Sequence, residues 1–286
     1  MKAAWIGLGA MGAPMAGHLA KHGHLAAVWN RTAAKSERFA AEYPRVRVAA
    51  TAQDAARDAD VIFICVSADD DLRGIIDALD SVLAAGQIVV DHSTVAPSTA
   101  RDLADALEDS GVTFIDAPVT GGVEGAINGQ LAIMAGGDQR AVDKIKPVLA
   151  HYARVVHHLG PSGCGQAGKA VNQLMVAGIA EAVCESLALM DKLKLPRDQM
   201  LDILSSGAAG NWFLDKRGVT MLEDRFETGF DPKLLLKDLG ICQTVCEEVG
   251  FESAVINQAL SDYEKLIAAD ENGGDISSLI RLKRRN

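Results

Sequence analysis

IGLGAMG, residues 6–12, follows the short apolar run KAAWI (2–6) and opens the helical pattern MGAPMAGHLAKHG (11–23). Gly7, Gly9 and Gly12 make a G-x-G-x-x-G between a strand and a helix. The first glycine permits a tight turn, the second lets the backbone approach a pyrophosphate, and the third lets helix and strand pack closely. A second strand-like run, LAAVW (25–29), follows at the spacing of a βαβ unit. The stretch predicts dinucleotide binding through Gly7, Leu8, Gly9, Ala10, Met11 and Gly12.

Further runs, VIFICV (61–66), QIVVD (87–91), VTFI (112–115) and LAIMA (131–135), alternate with helical patterns. Their continuous apolar character suits strands covered on both faces, the mark of a largely parallel sheet wrapped by helices. In APSTARDLADALEDSG, Pro97 stands near a helix start, Leu103 and Leu107 are four apart, and Gly111 stops the run. After the glycine-rich GPSGCGQAG the strand-like runs cease, and GKAVNQLMVAGIAEAVCESLALMDKLKL reads as one long helix beginning at about Lys169. The expected fold class is α/β: a Rossmann-type doubly wound parallel sheet over 1–163, followed by an all-α domain over 164–286. That second half, with its long apolar helices at 169–194 and 233–249, is expected to build a homodimer or homotetramer.

Where the second strand ends, an NAD enzyme usually has Asp or Glu for the ribose 2′-hydroxyl. This chain has Asn30, Arg31 and Thr32. A guanidinium binds a 2′-phosphate that a carboxylate would repel. NADP is therefore expected in preference to NAD, with NAD as the weaker cofactor.

Composition excludes several classes. The net charge of −10 argues against a nucleic-acid partner. The basic cluster RLKRR (281–285) reads as a solvated end, with contact to a cofactor phosphate or partner subunit as the weaker reading. Five scattered cysteines without a CxxC pair point to neither disulfides nor a metal site, and Cys242 and Cys246, one helical turn apart, have no accompanying histidine. Glu181 and Glu185 interrupt the most apolar run, so no membrane span is expected, and without a visible export signal the location is expected to be cytoplasmic.

IGLGAMGAPMA, DHSTVAP (91–97), DAPVTGGVEGAINGQLAIMAGG (116–137), GQAGKAVNQ (165–173) and KDL (237–239) together resemble the β-hydroxyacid dehydrogenases. The resemblance spans essentially the whole chain, with NRT most like the branch that reduces glyoxylate and succinic semialdehyde. It implies Lys169 as the catalytic lysine and Asn172 as its partner one turn on. It also implies Thr120, Gly121 and Gly122 as the substrate-carboxylate loop, and Thr94 near nicotinamide and substrate. Val66 and Lys237 fall at cofactor positions, and Gln173, Phe230 and Asp238 at substrate-pocket positions. Gln173 stands where the family often has Asn, and Thr120 where it often has Ser; both change the volume and leave the exact substrate open.

The chemistry is consistent with these residues. Reducing an aldehyde needs a hydride, which nicotinamide supplies, and a proton, which the protein must supply. Burial and a position near a helix N-terminus would lower a lysine pKa toward neutrality. Lys169, Asn172 and Gln173 at i, i+3 and i+4 share a helix face. The glycine-rich loop around Thr120 exposes backbone N–H groups suited to a carboxylate, and Glu124 disfavours a phosphate. A small carboxylate substrate is expected, and no histidine is assigned to catalysis. Trp212 and Phe213 are candidates either for the pocket or for the core. Two other readings are an imine reductase on the same scaffold and a non-catalytic dinucleotide-binding module. Lys169 counts against the first, and an intact lysine position with no appended reader domain counts against the second.

Overall fold

The computed structural model describes residues 1–226, 229–269 and 274–285. In chain order the first unit contains β1 (Ala3–Ile6), α1 (Gly12–Lys21), β2 (Leu25–Trp29), α2 (Ala33–Glu42), β3 (Arg47–Val48), α3 (Ala52–Ala56), β4 (Val61–Ile64) and α4 (Asp69–Leu79). It continues with β5 (Ile88–Asp91), α5 (Pro97–Glu108), β6 (Thr113–Asp116), β7 (Val119–Thr120), α6 (Gly122–Ile127), β8 (Leu131–Gly136), α7 (Gln139–Leu149) and β9 (Ala153–Gly160). Then come α8 (Cys164–Lys192), α9 (Arg197–Ser206), α10 (Trp212–Leu222), α11 (Pro232–Glu248), α12 (Ala254–Ala268), a 3₁₀ turn (Ile276–Ser278) and α13 (Leu279–Lys283).

The strands form one sheet in the order β3-β2-β1-β4-β5-β6-β8-β7, with β9 paired to β8. From β3 to β6 all pairings are parallel, while β8 runs antiparallel to β6 and β7. The expected doubly wound parallel sheet is present. Alternate residues of each strand enter opposite cores. Trp5, Phe63 and Val90 pack with Met15 and Leu19 of α1 and Ile145 of α7. Ile6, Ile62, Ile64 and Val89 pack with Leu72 and Ile76 of α4 and Leu103 of α5. Both faces are covered, which is why these strands read as unbroken apolar runs. Three strands escape the sequence reading. β3 and β7 span two residues each, and β9 carries two histidines in ARVVHHLG and buries only Ala153 and Val156.

Contacts divide the chain into units 1–169 and 170–286, six residues beyond the expected boundary at 163. The difference arises because the first turns of α8 pack on the sheet-bearing unit. α8 also starts earlier than expected, at Cys164, so Lys169 lies in its second turn. The expectation that Lys169 gains from the helix dipole is thereby corrected, since that effect falls off within the first turn.

The second unit is all-helical among the described residues. Ala177, Ala180, Cys184 and Leu187 of α8 pack with Phe213, Leu239 and Tyr263 from α10, α11 and α12. Phe213 is thus a core residue, whereas Trp212 is half exposed. By length and mean hydropathy α8 would suffice to cross a bilayer. Its buried face, however, supplies the core just described.

The basic C-terminal cluster corrects a second expectation. Lys283 is buried, and its Nζ lies 2.5 Å from Glu181, 2.6 Å from Asp262 and 2.9 Å from Glu185. Arg284 pairs with Asp191, and Arg281 with Asp224. RLKRR therefore fastens α13 to α8, α12 and the end of α10 rather than forming a solvated end. Glu181, the charge that interrupts the apolar run, faces this lysine.

Candidate active site

The site residues fall into two groups, one in each unit. In the first unit, the loop after β1 is shaped by its glycines. A Cβ on Gly7, whose φ is +97°, would lie 2.1 Å from the Cys65 carbonyl oxygen, and one on Gly12 would lie 2.1 Å from the Gly7 oxygen. Packing requires both. A Cβ on Gly9 would meet no protein atom within 4 Å, and its φ lies outside the left-handed range. The protein itself thus gives no reason for a glycine at 9, whereas a pyrophosphate approaching the backbone does. The α1 N-terminus beyond it has no side-chain cap and no acidic residue in its first turn, which suits an anion. These residues fit a dinucleotide.

Asn30 pins this loop. Its Oδ1 accepts from Leu8 N–H at 2.8 Å, and its Nδ2 donates to Thr32 O at 3.1 Å. Arg31 and Thr32 are exposed at the end of β2. Val66, beyond β4, donates its N–H to Ser93 Oγ at 2.9 Å, linking that strand exit to the Thr94 loop.

The first turns of α8 hold two loops in place. Gln166, fully buried, accepts from Val95 N–H and donates to Ser93 O, gripping the chain on both sides of Thr94. One turn later Lys169 is 8% exposed and donates from Nζ to Val119 O at 2.9 Å. That bond brings the amine to the strand entering Thr120, Gly121 and Gly122. Gly121 and Gly122 have φ of +126° and +64°, a geometry other residues rarely adopt, so the turn that follows depends on them.

Asp116 anchors the helix start. Its carboxylate accepts N–H bonds from Gly163 and Gln166 at 2.8 and 2.9 Å, replacing an N-cap with a side chain 47 residues upstream. Burial raises its pKa, opposed by these N–H bonds. A Cβ on Gly165 would lie 2.5 Å from the carbonyl oxygens of Asp116 and Met134, so the glycine in GQAGK is needed for this close docking. Asp116 and Gln166 were missed as positioning residues. Both lie inside the quoted motifs, but nothing in their local spacing marks the pairing.

In the second unit, a side-chain chain joins four candidates. Asn172 Nδ2 donates to Gln173 Oε1 at 2.8 Å, Gln173 Nε2 donates to Asp238 Oδ2 at 2.7 Å, and Lys237 Nζ lies 3.1 Å from Asp238 Oδ1. Gln173 and Asp238 are buried, while Asn172 and Lys237 are partly exposed. The extra methylene of Gln173 thus reaches the carboxylate on α11. Phe230 packs on the helical core, and its N–H is held by buried Asp275 at 3.0 Å.

The comparisons with known proteins identify the family. The model for the NAD-binding domain of 6-phosphogluconate dehydrogenase matches residues 2–160. The model described as NAD-binding of NADP-dependent 3-hydroxyisobutyrate dehydrogenase matches 163–283. An oxidoreductase of Shewanella frigidimarina is 39% identical over 98% of this chain and 97% of its own. An NAD-dependent L-serine dehydrogenase of Pseudomonas aeruginosa is 32% identical, covering 98% and 96%. The structure of Mycobacterium tuberculosis 3-hydroxyisobutyrate dehydrogenase with L-serine superposes with a TM-score of 0.88 at 29% identity, covering 99% of both chains. With a dinucleotide loop whose open glycine suits a pyrophosphate, a buried lysine at the Thr120–Gly122 turn and family matches along nearly its full length, this chain belongs to the β-hydroxyacid dehydrogenase family.

Proposed function

We propose that the protein is an NADP-preferring reductase or dehydrogenase of small hydroxyacids and semialdehydes, with Lys169 as general acid in reduction and general base in oxidation. The observation that carries this reading is the buried Lys169 amine at 2.9 Å from Val119 O, beside the Thr120–Gly122 turn. A bound nicotinamide supplies or accepts the hydride. Thr120 and the amides of Gly121 and Gly122 bind and orient the substrate carboxylate. Lys169 then gives its proton to the carbonyl oxygen as that oxygen gains negative charge, or takes the hydroxyl proton in the reverse direction. Asn172, one turn further on the same helix, holds the reacting oxygen. Gln173 and Asp238 keep the Asn172 amide oriented. Arg31 supports NADP as the preferred cofactor, with NAD as the weaker one.

The test is NADPH oxidation against succinic semialdehyde, glyoxylate, methylmalonate semialdehyde and tartronate semialdehyde, with oxidation of 3-hydroxyisobutyrate and L-serine in the other direction. Lys169→Ala is expected to lower kcat by about 10²- to 10⁴-fold while NADPH binding survives. Undiminished turnover in the variant would remove Lys169 from the mechanism. No turnover on any substrate, despite NADPH binding, would favour an imine substrate or a non-catalytic role.

A further inference from the structure

Arg31, on which the NADP preference rests, faces a carboxylate. Its Nη1 lies 2.7 Å from Asp71 Oδ1, with the arginine side chain 81% exposed and the aspartate 28%. Asp71 belongs to the first turn of α4, which follows β4, whereas Arg31 follows β2. Both strands flank β1 and run parallel to it, so the loops after all three leave the same edge of the sheet. The candidate phosphate anchor and its carboxylate therefore stand on either side of the dinucleotide loop. Two neighbouring side chains of α4 are committed elsewhere. Asp69 accepts from Ala96 N–H and the Thr99 hydroxyl, and Arg73 pairs with Asp102 at 2.7 Å.

We propose that Asp71 competes with the 2′-phosphate of NADP for Arg31 and so limits how strongly this chain discriminates NADP from NAD. The inference rests on the NADP reading above. A phosphate dianion binds a guanidinium through charge-assisted hydrogen bonds, and a carboxylate already in that place must be displaced or must share it with a second negative group. NADH, with a neutral 2′-hydroxyl, imposes no such conflict. The pair is exposed enough that its strength is modest and sensitive to salt.

The test is the Kd of NADPH and NADH, by cofactor fluorescence, for the wild type, Asp71→Asn, Arg31→Ala and the double variant. Unchanged thermal melting of the free proteins would control for folding. Asp71→Asn should tighten NADPH by about two- to fivefold, the range set by an exposed ion pair, and leave NADH within about twofold. In the Arg31→Ala background the same substitution should lose that gain, and in the wild-type background raised salt should shrink it. Unchanged or weaker NADPH binding in Asp71→Asn, with Arg31→Ala still weakening NADPH selectively, would overturn the competition and leave the NADP reading standing. If Arg31→Ala leaves NADPH binding unaltered, both fall.

Discussion

His92 lies in the sheet core, 5.7 Å from the Trp5 and Phe63 ring centres and 5.6 Å from that of Tyr152. Nδ1 is 2.6 Å from Ala117 O and Nε2 is 2.8 Å from the Tyr152 hydroxyl, so one neutral tautomer donates to the carbonyl and accepts from the phenol. Burial lowers the His92 pKa from 6.5 to about 4. Because the folded pKa lies below the unfolded one, the unfolded chain binds more protons between these values. The stabilisation from keeping His92 neutral is therefore complete above about pH 6.5 and is lost as pH falls towards 4, with about 2 kcal/mol gone between pH 7 and pH 5. In urea unfolding at these two pH values, His92→Gln should show an acid loss smaller by about that amount. An equal loss in both proteins would assign the acid sensitivity to other groups. The residue scale also marks what the sequence conceals: DHSTV displays a histidine beside the Thr94 loop, but only packing against Tyr152 reveals that it is a neutral core residue.

At the scale of elements, α13 is held by charges rather than by its short apolar face alone. Lys283 has a 3% exposed side chain and meets Glu181 and Asp262, whose side chains are 11% and 6% exposed. These carboxylates hold the Lys283 amine protonated, above its usual range. A pair of this kind adds little net stability when intact, yet removing one partner leaves uncompensated buried charge. Lys283→Met should destabilise the protein by about 3–5 kcal/mol in denaturant unfolding. A change within about 0.5 kcal/mol, the range of an ordinary surface substitution, would show that α13 is held by packing alone. Elements with strong periodicity were legible: α5 starts at Pro97 and buries Leu103 and Leu107 as expected, and α11 spans Pro232–Glu248 against an expected 233–249. The start of α8 was not, because its first turn, CGQAG, resembles loop composition and is helical through docking and the Asp116 cap.

For the whole molecule, the outward face of α8 bears on assembly. Val171, Met175, Leu189 and Leu193 are 58–66% exposed, and Gly178, Ala182 and Ser186 continue the same 3–4 residue spacing between them. Gly178, Ala182 and Ser186 also line an apolar cavity of about 460 Å³ with Leu204, Leu214 and Val255. An apolar stripe of this length is more than a lone helical unit ordinarily leaves exposed. We propose that the second unit carries the subunit contact, as a homodimer or homotetramer. Light scattering at micromolar concentration should give a mass two or four times the 30.2 kDa of one chain. A single-chain mass would refute the proposal.

The dinucleotide loop, the alternation of strands and helices and the change to an all-helical second half were legible in the residues themselves, whereas Lys169 and the Thr120–Gly122 loop were marked only by the family resemblance. The first three are written locally, in glycines at fixed spacing or in a repeating apolar period. Tertiary structure alone decided which distant groups meet: Asp116 with the amides of Gly163 and Gln166, Gln166 with the Thr94 loop, Arg31 with Asp71, and the terminal Lys283 with the acids of α8 and α12. Pairings across tens of residues leave no periodic trace in the sequence, and burial, which sets the strength of each charge interaction, exists only once the chain has folded.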